Sequence, residues 1–362
     1  MRRFFILFTV SVLALAMSLG SLAQKSKGKE EPKKAEESQK IEDLVTKGEY
    51  QKAIDLAKKF IEAGKVTAGL YTDMGTAYYK LKQYDEAIKA YEEAYKLDMF
   101  STQNLLFEAT CYHDMGQDDK VAETYQKVLG IEPANNEVRY NLAQVYEKLK
   151  KVDEALKEYD TLYAAAPDYK DVAYAIAVIY HNKGGVEKEP ATADPYYAKA
   201  EPYFEKALSI TPTNEDILVA QGQNFIKEKK YDKAVVPLQK FLEVCKPDDL
   251  RRPAVTGNVA GAYAKAGAAI TVDPKAKPED KKAAQDAINA NYDHAVAYYD
   301  KFLALRPNSE PALEGKANAL IQLGKNAEAL AVLDQFMQVS KNEAEKKKVA
   351  ENIKLLKAAK KG

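Results

Sequence analysis

The sequence has no tryptophan, only two cysteines and no excess of either charge, with Lys+Arg and Asp+Glu at 54 each. A balanced surface supplies no global field for gathering nucleic acid or an acidic membrane, so neither is expected as a partner. Catalytic motifs are missing as well. There is no His-Glu-x-x-His, no Cys-x-x-Cys and no glycine-rich phosphate loop. His113 and His181 fall in equivalent but separate repeats, too far apart to share a metal, and His294 stands alone. Asp114, Asp118 and Asp119 approach a calcium-loop spacing, yet Gly116 stands where the second ligand belongs and Tyr125 replaces the closing glutamate. No Ser/His/Asp or Cys/His arrangement emerges. The expectation is therefore a non-enzymatic chain with no catalytic residues, metal or cofactor.

Long apolar runs are confined to the N-terminus. Arg2 and Arg3 precede an apolar stretch from Phe4 to Met17, followed by the small residues Ser21 and Ala23. This order predicts a secretory signal over residues 1–23, cut after Ala23, in a bacterial protein that is periplasmic or secreted. Extending the run to Ala23 also allows an uncleaved membrane anchor. Residues 24–40 are rich in Lys and Glu and are expected to form a disordered spacer.

What the chain does have is repetition. Leu44, Tyr78, Tyr112, Tyr146 and Tyr180 recur every 34 residues, as do Ala53, Ala87, Val121 and Ala155, and Tyr91, Tyr125 and Tyr159. Within a unit, Leu70, Met74 and Tyr78 follow a helical period. Gln83-Tyr84-Asp85 then breaks it, and Ala87, Tyr91 and Ala94 start a second stripe. Each unit reads as helix–turn–helix, with Gly75 or an alanine where the helices touch and a tyrosine from the same helix beside it. The fold class is all-α, with about eight stacked hairpins over residues 41–340. Two inserts interrupt the register. Residues 183–196 are expected to form a long inter-helix loop in the fifth hairpin. Residues 267–290 are expected to add a helix to the seventh hairpin or lengthen its second. Residues 341–362, with Val349, Ile353 and Leu356 on one stripe, are expected to cap the stack. This register sets Cys111 and Cys245 about three hairpins apart, beyond the roughly 7 Å reach of a disulfide.

Met74-Gly75-Thr76-Ala77-Tyr78 followed by Tyr84-Asp85-Glu86-Ala87 closely resembles the tetratricopeptide repeat. So do Asn141–Tyr146 with Val152–Ala155, and Val259–Tyr263. The resemblance implies a right-handed α-solenoid whose first helices line a concave groove that takes a peptide or partner protein. By register the groove positions are Thr72, Thr76 and Tyr79, then Leu106, Thr110 and His113, then Tyr140, Gln144 and Glu147. Tyr174, Val178 and His181 follow, and then Val219, Gln223 and Ile226. Some relatives grip a C-terminal carboxylate with Lys, Arg and Asn at these places; here Thr72, Thr76, Thr110, Tyr140 and Gln144 stand there, and that clamp is absent. An extended peptide or amphipathic helix fits such a mixed surface. Glycan or small-molecule binding through groove tyrosines is the alternative, as is a structural scaffold that contacts partners through its inserts. Self-association is left open.

Overall fold

The computed structural model describes residues 36–359, and the expected signal segment lies outside them. All of the regular structure in this range is helical. The described residues divide into two compact units that part between Ala165 and Ala166, each built from stacked hairpins.

The first unit holds α1 (Glu36–Thr46), α2 (Tyr50–Glu62), α3 (Ala68–Lys80), α4 (Tyr84–Leu97), α5 (Gln103–Asp114), α6 (Asp118–Ile131), α7 (Asn136–Lys148) and α8 (Val152–Ala165). Each helix packs on its neighbours in sequence. α1 starts inside the segment expected to be a disordered spacer. Ser38 explains the earlier start: its side chain is buried and its hydroxyl lies 3.0 Å from that of Thr67, so these polar residues are tied to the next hairpin.

The ladder positions coincide with a backbone closure. Leu44, Tyr78, Tyr112 and Tyr146 each lie in the last turn of a first helix, and their carbonyls accept the N–H of Glu49, Gln83, Gln117 and Lys151 at 2.8–2.9 Å. The residue before each donor sits in the left-handed region: Gly48 (φ 76°), Lys82 (60°), Gly116 (71°) and Lys150 (63°). This is the Schellman closure of a helix C-terminus, repeated once per hairpin. The small-residue ladder marks the seam between helices. Ala53, Ala87, Val121 and Ala155 are all at most 1% exposed. The ring at the seam comes from the second helix, not from the same helix as expected: Tyr91 of α4 covers Gly75 of α3. Burying one such aromatic side chain contributes about 1.5–3 kcal/mol.

The second unit holds α9 (Val172–Val186), α10 (Pro190–Ile210), α11 (Glu215–Lys227), α12 (Tyr231–Val244), α13 (Arg252–Ala269), α14 (Pro278–Leu305), α15 (Glu310–Gln322), α16 (Asn326–Val339) and α17 (Glu343–Ala359). Phe225 and Leu320 close the same turns through Lys230 and Lys325, with Lys229 and Gly324 left-handed. Hairpins five and seven depart from this pattern. The glycines that register places at the turn, Gly184 and Gly267, lie inside α9 and α13. They are used for close packing instead: a Cβ on Gly184 would meet the Tyr197 ring at 2.8 Å, and one on Gly267 would meet Asn291 and Tyr292 at 3.2–3.3 Å.

The fifth hairpin therefore has no long loop. Helix continues to Val186 and resumes at Pro190, whose fixed φ suits a first helical position. In the seventh hairpin the insert lengthens α14 to 28 residues. α17 packs on α16, burying Val349 with Ile353 and Leu356 beside it. Cys111 and Cys245 are both free and buried.

Candidate functional site

In the first unit the expected groove residues are tied to one another more than to open space. The hydroxyl of Thr72 on α3 donates to Asn104 Oδ1 on α5 at 2.8 Å, and Tyr79 donates to Asp114 Oδ2 at 2.8 Å. These bonds lace adjacent first helices at both ends. Burial, together with the Asp114 carboxylate, pushes the Tyr79 phenol well above its usual range. Thr76 and Thr110 donate to the carbonyls of Thr72 and Leu106 on their own helices, each at 2.9 Å. Leu106 and His113 are half-buried, and His113 Nδ1 lies 3.4 Å from Asp114.

Tyr140 on α7 turns inward. It is 6% exposed and meets Tyr159 of α8 edge-to-face at 5.8 Å. Gln144 donates to its hydroxyl at 3.2 Å, and Glu147 accepts from Tyr159 at 2.7 Å. A sugar face stacked on Tyr140 would require that packing to open.

The second unit shows the same division. Tyr174 packs on Phe204, ring centres 6.3 Å apart, and burial pushes its phenol up to about 12. Val219 is buried, Val178 and Ile226 are half-buried, and Gln223 keeps partial exposure. His181 belongs to a buried network that spacing did not reveal. Asn224, fully buried, donates through Nδ2 to the Tyr197 carbonyl at 2.9 Å and to Glu228 Oε1 at 2.8 Å. With Nδ2 so engaged, Oδ1 must be the acceptor facing His181 Nδ1 at 3.0 Å. The imidazole thus carries its proton on Nδ1, and desolvation holds its pKa below the ordinary value.

The positions thus separate into two sets. Tyr140, Tyr174, His181 and Val219 belong to the packing, whereas Thr76, Thr110, Gln144 and Gln223 offer half-exposed hydroxyl and amide groups along the first helices. Such groups can hydrogen-bond an extended chain but cannot start acyl or phosphoryl chemistry unaided. Burial pushes the Cys111 thiol up to about 12, opposite to what a nucleophilic thiol needs. No group of three or more metal-ligating side chains occurs among the described residues.

A family model described as "Tetratricopeptide repeat" matches residues 39–102 and 288–337. A second, "Anaphase-promoting complex, cyclosome, subunit 3", matches residues 83–162. No curated protein matches the chain. Among solved structures, the C-terminal part of a TPR repeat-containing protein from Cytophaga hutchinsonii is 17% identical, with 77% of this chain and 98% of that one covered and a TM-score of 0.49. The MamA protein is 23% identical over 49% and 90% of the two chains, with a TM-score of 0.41. YrrB, described as a TPR protein with an unusual peptide-binding site, is 18% identical over 54% and 94%, with a TM-score of 0.42.

Proposed function

Since the chain belongs to the tetratricopeptide-repeat family, we propose that it is a non-catalytic scaffold of the bacterial cell envelope that holds a peptide or partner-protein segment along its first helices. One observation carries this reading. Thr76, Thr110 and Gln144 recur as half-exposed hydrogen-bonding groups on the successive first helices α3, α5 and α7 of the first unit, and Gln223 has the same character on α11 of the second. Hydroxyl and amide side chains spaced in this way match the alternating donors and acceptors of an extended backbone. The basic start and short apolar run before Ala23 support export. No described helix is long and apolar enough to cross a membrane.

Site-specific photo-cross-linking in the native compartment tests the proposal. A photoreactive residue at Thr110 or Gln223 should give a discrete protein adduct, and one at Lys127 or Lys240, exposed on second helices, should not. Equal adducts from both sets would refute groove binding.

A further inference from the structure

Six turns between hairpins close in the same way, a carbonyl just past the second helix accepting the N–H three residues on. The pairs are Asp98–Ser101, Glu132–Asn135, Ala166–Tyr169, Thr211–Asn214, Lys246–Asp249 and Arg306–Ser309, at 3.0–3.3 Å. Five of these turns open on proline, at Pro133, Pro167, Pro212, Pro247 and Pro307, and follow it with Ala, Asp, Thr, Asp and Asn. Proline presets the φ this position needs, and a small or polar residue can follow it into water. The α4–α5 turn carries Met99 and Phe100 instead. Its backbone matches the others: Asp98 has φ −141° and ψ 79°, against −144° and 76° for Arg306 before Pro307.

Turn geometry thus makes no demand for this pair, and the fold leaves it in water. Phe100 is 87% exposed, Met99 59%, and Leu97, which ends α4, 53%. Large apolar side chains gathered at one tip mark a surface that is covered in use.

The place of the tip in the first unit says what covers it. Thr72 of α3 bonds Asn104 of α5 at 2.8 Å, near the start of both helices, so the turns preceding α3 and α5 share one edge. α1 begins on that edge too. Ser38, in its first turn, lies 3.0 Å from Thr67, the neighbour of exposed Val66. Residues 18–35 therefore lead from this edge to the apolar run Phe4–Met17, a stretch of 18 residues that spans at most about 60 Å. Export by that run brings a bilayer to the edge on which Met99 and Phe100 stand.

We propose that the tip at Leu97, Met99 and Phe100 inserts into a lipid bilayer surface and holds this edge of the first unit against the membrane. Aromatic and apolar side chains suit the boundary between headgroups and acyl chains. Contact of this kind needs no field of charge, so the balanced composition does not oppose it. The inference rests on the envelope placement proposed above and is independent of the first-helix groove.

The chain has no tryptophan, so a single introduced one reports its own surroundings. The full chain is mixed with phosphatidylcholine vesicles whose acyl chains carry bromine. Phe100→Trp, and Leu97→Trp beside the unchanged Met99 and Phe100, should shift to the blue and lose at least about half of their emission. Asp85→Trp, exposed at the other end of α4 and about 20 Å away, should do neither. Met99→Pro with Phe100→Ala, which copies the pair of the α6–α7 turn, should keep its urea midpoint and abolish the quenching of Leu97→Trp. Equal quenching at positions 85 and 100, none at 100, or quenching that persists in the double variant overturns the assignment. A lowered midpoint in the double variant would give the pair a packing role and overturn it as well. A blue shift of Phe100→Trp with lipid-free envelope protein but not with vesicles would assign the tip to a protein instead. Fractionation of cells tests export separately: a cytoplasmic chain would sink the envelope placement and leave the vesicle result standing.

Discussion

The ring of Tyr91 lies so close over Gly75 that a Cβ on the glycine would meet Cε1 at 2.6 Å. A comparable approach joins neighbouring hairpins at Gly315 of α15, where a Cβ would meet the Tyr299 hydroxyl oxygen of α14. Gly75→Ala should therefore overpack the seam between α3 and α4, costing about 1–3 kcal/mol. Tyr91→Leu should recover part of that loss. A double-mutant cycle by urea denaturation measures the coupling, and strictly additive effects would count against direct contact.

Lys82, Lys150 and Lys229 hold left-handed turn positions with φ of 60–63°. An L residue there costs about 1–2 kcal/mol, partly offset by the extra freedom glycine gains when unfolded. Each Lys→Gly change should add about 0.5–1 kcal/mol. Hydrogen exchange at the turn amides of Gln83, Lys151 and Lys230 should slow accordingly. Gly116→Lys should act in the opposite direction.

His181 makes stability depend on pH. Its surroundings are Asn224, the rings of Tyr197 and Phe204, and Lys227, and desolvation lowers its folded pKa from the ordinary value of 6.5. The unfolded chain then binds more protons between the folded pKa and about 6.5, so stability rises with pH across that window. Its contribution is fully present above about 6.5 and lost as pH falls through the folded value. Urea midpoints between pH 5 and 7 should show this slope, and His181→Gln should flatten it.

Cys111 reports on opening of the first unit. Its side chain is fully buried and its thiol is pushed up to about 12. In a Cys245→Ser background, iodoacetamide at pH 8 should label Cys111 only as fast as the unit opens. Labelling that keeps pace with a free thiol would show that the site is accessible.

Features governed by spacing were legible in the sequence, and those governed by direction were not. The 34-residue ladder could be read because the hairpins from α1 to α8 keep nearly constant helix and turn lengths, so equivalent positions return at one interval. Tyr140 lay on the expected side of α7, yet spacing does not say which way a long ring leans, and Tyr159 draws it inward. Gly184 resembled loop punctuation because a helical glycine under a tyrosine has the same letter as a turn glycine.

The two long hairpins obey a rule of length. Ordinary second helices such as α12 and α16 have 14 residues, whereas α10 has 21 and α14 has 28. One is half as long again and the other double, so growth has come in heptads, each close to two full helical turns. An extension of that size returns each added residue to nearly the same azimuth. The seam continues through Tyr197 in one hairpin and Tyr292 in the other, both buried. The first helices of the same hairpins grow less, α9 to 15 residues and α13 to 18 against 13 in α11 and α15, so each long second helix carries turns beyond the reach of the helix it pairs with.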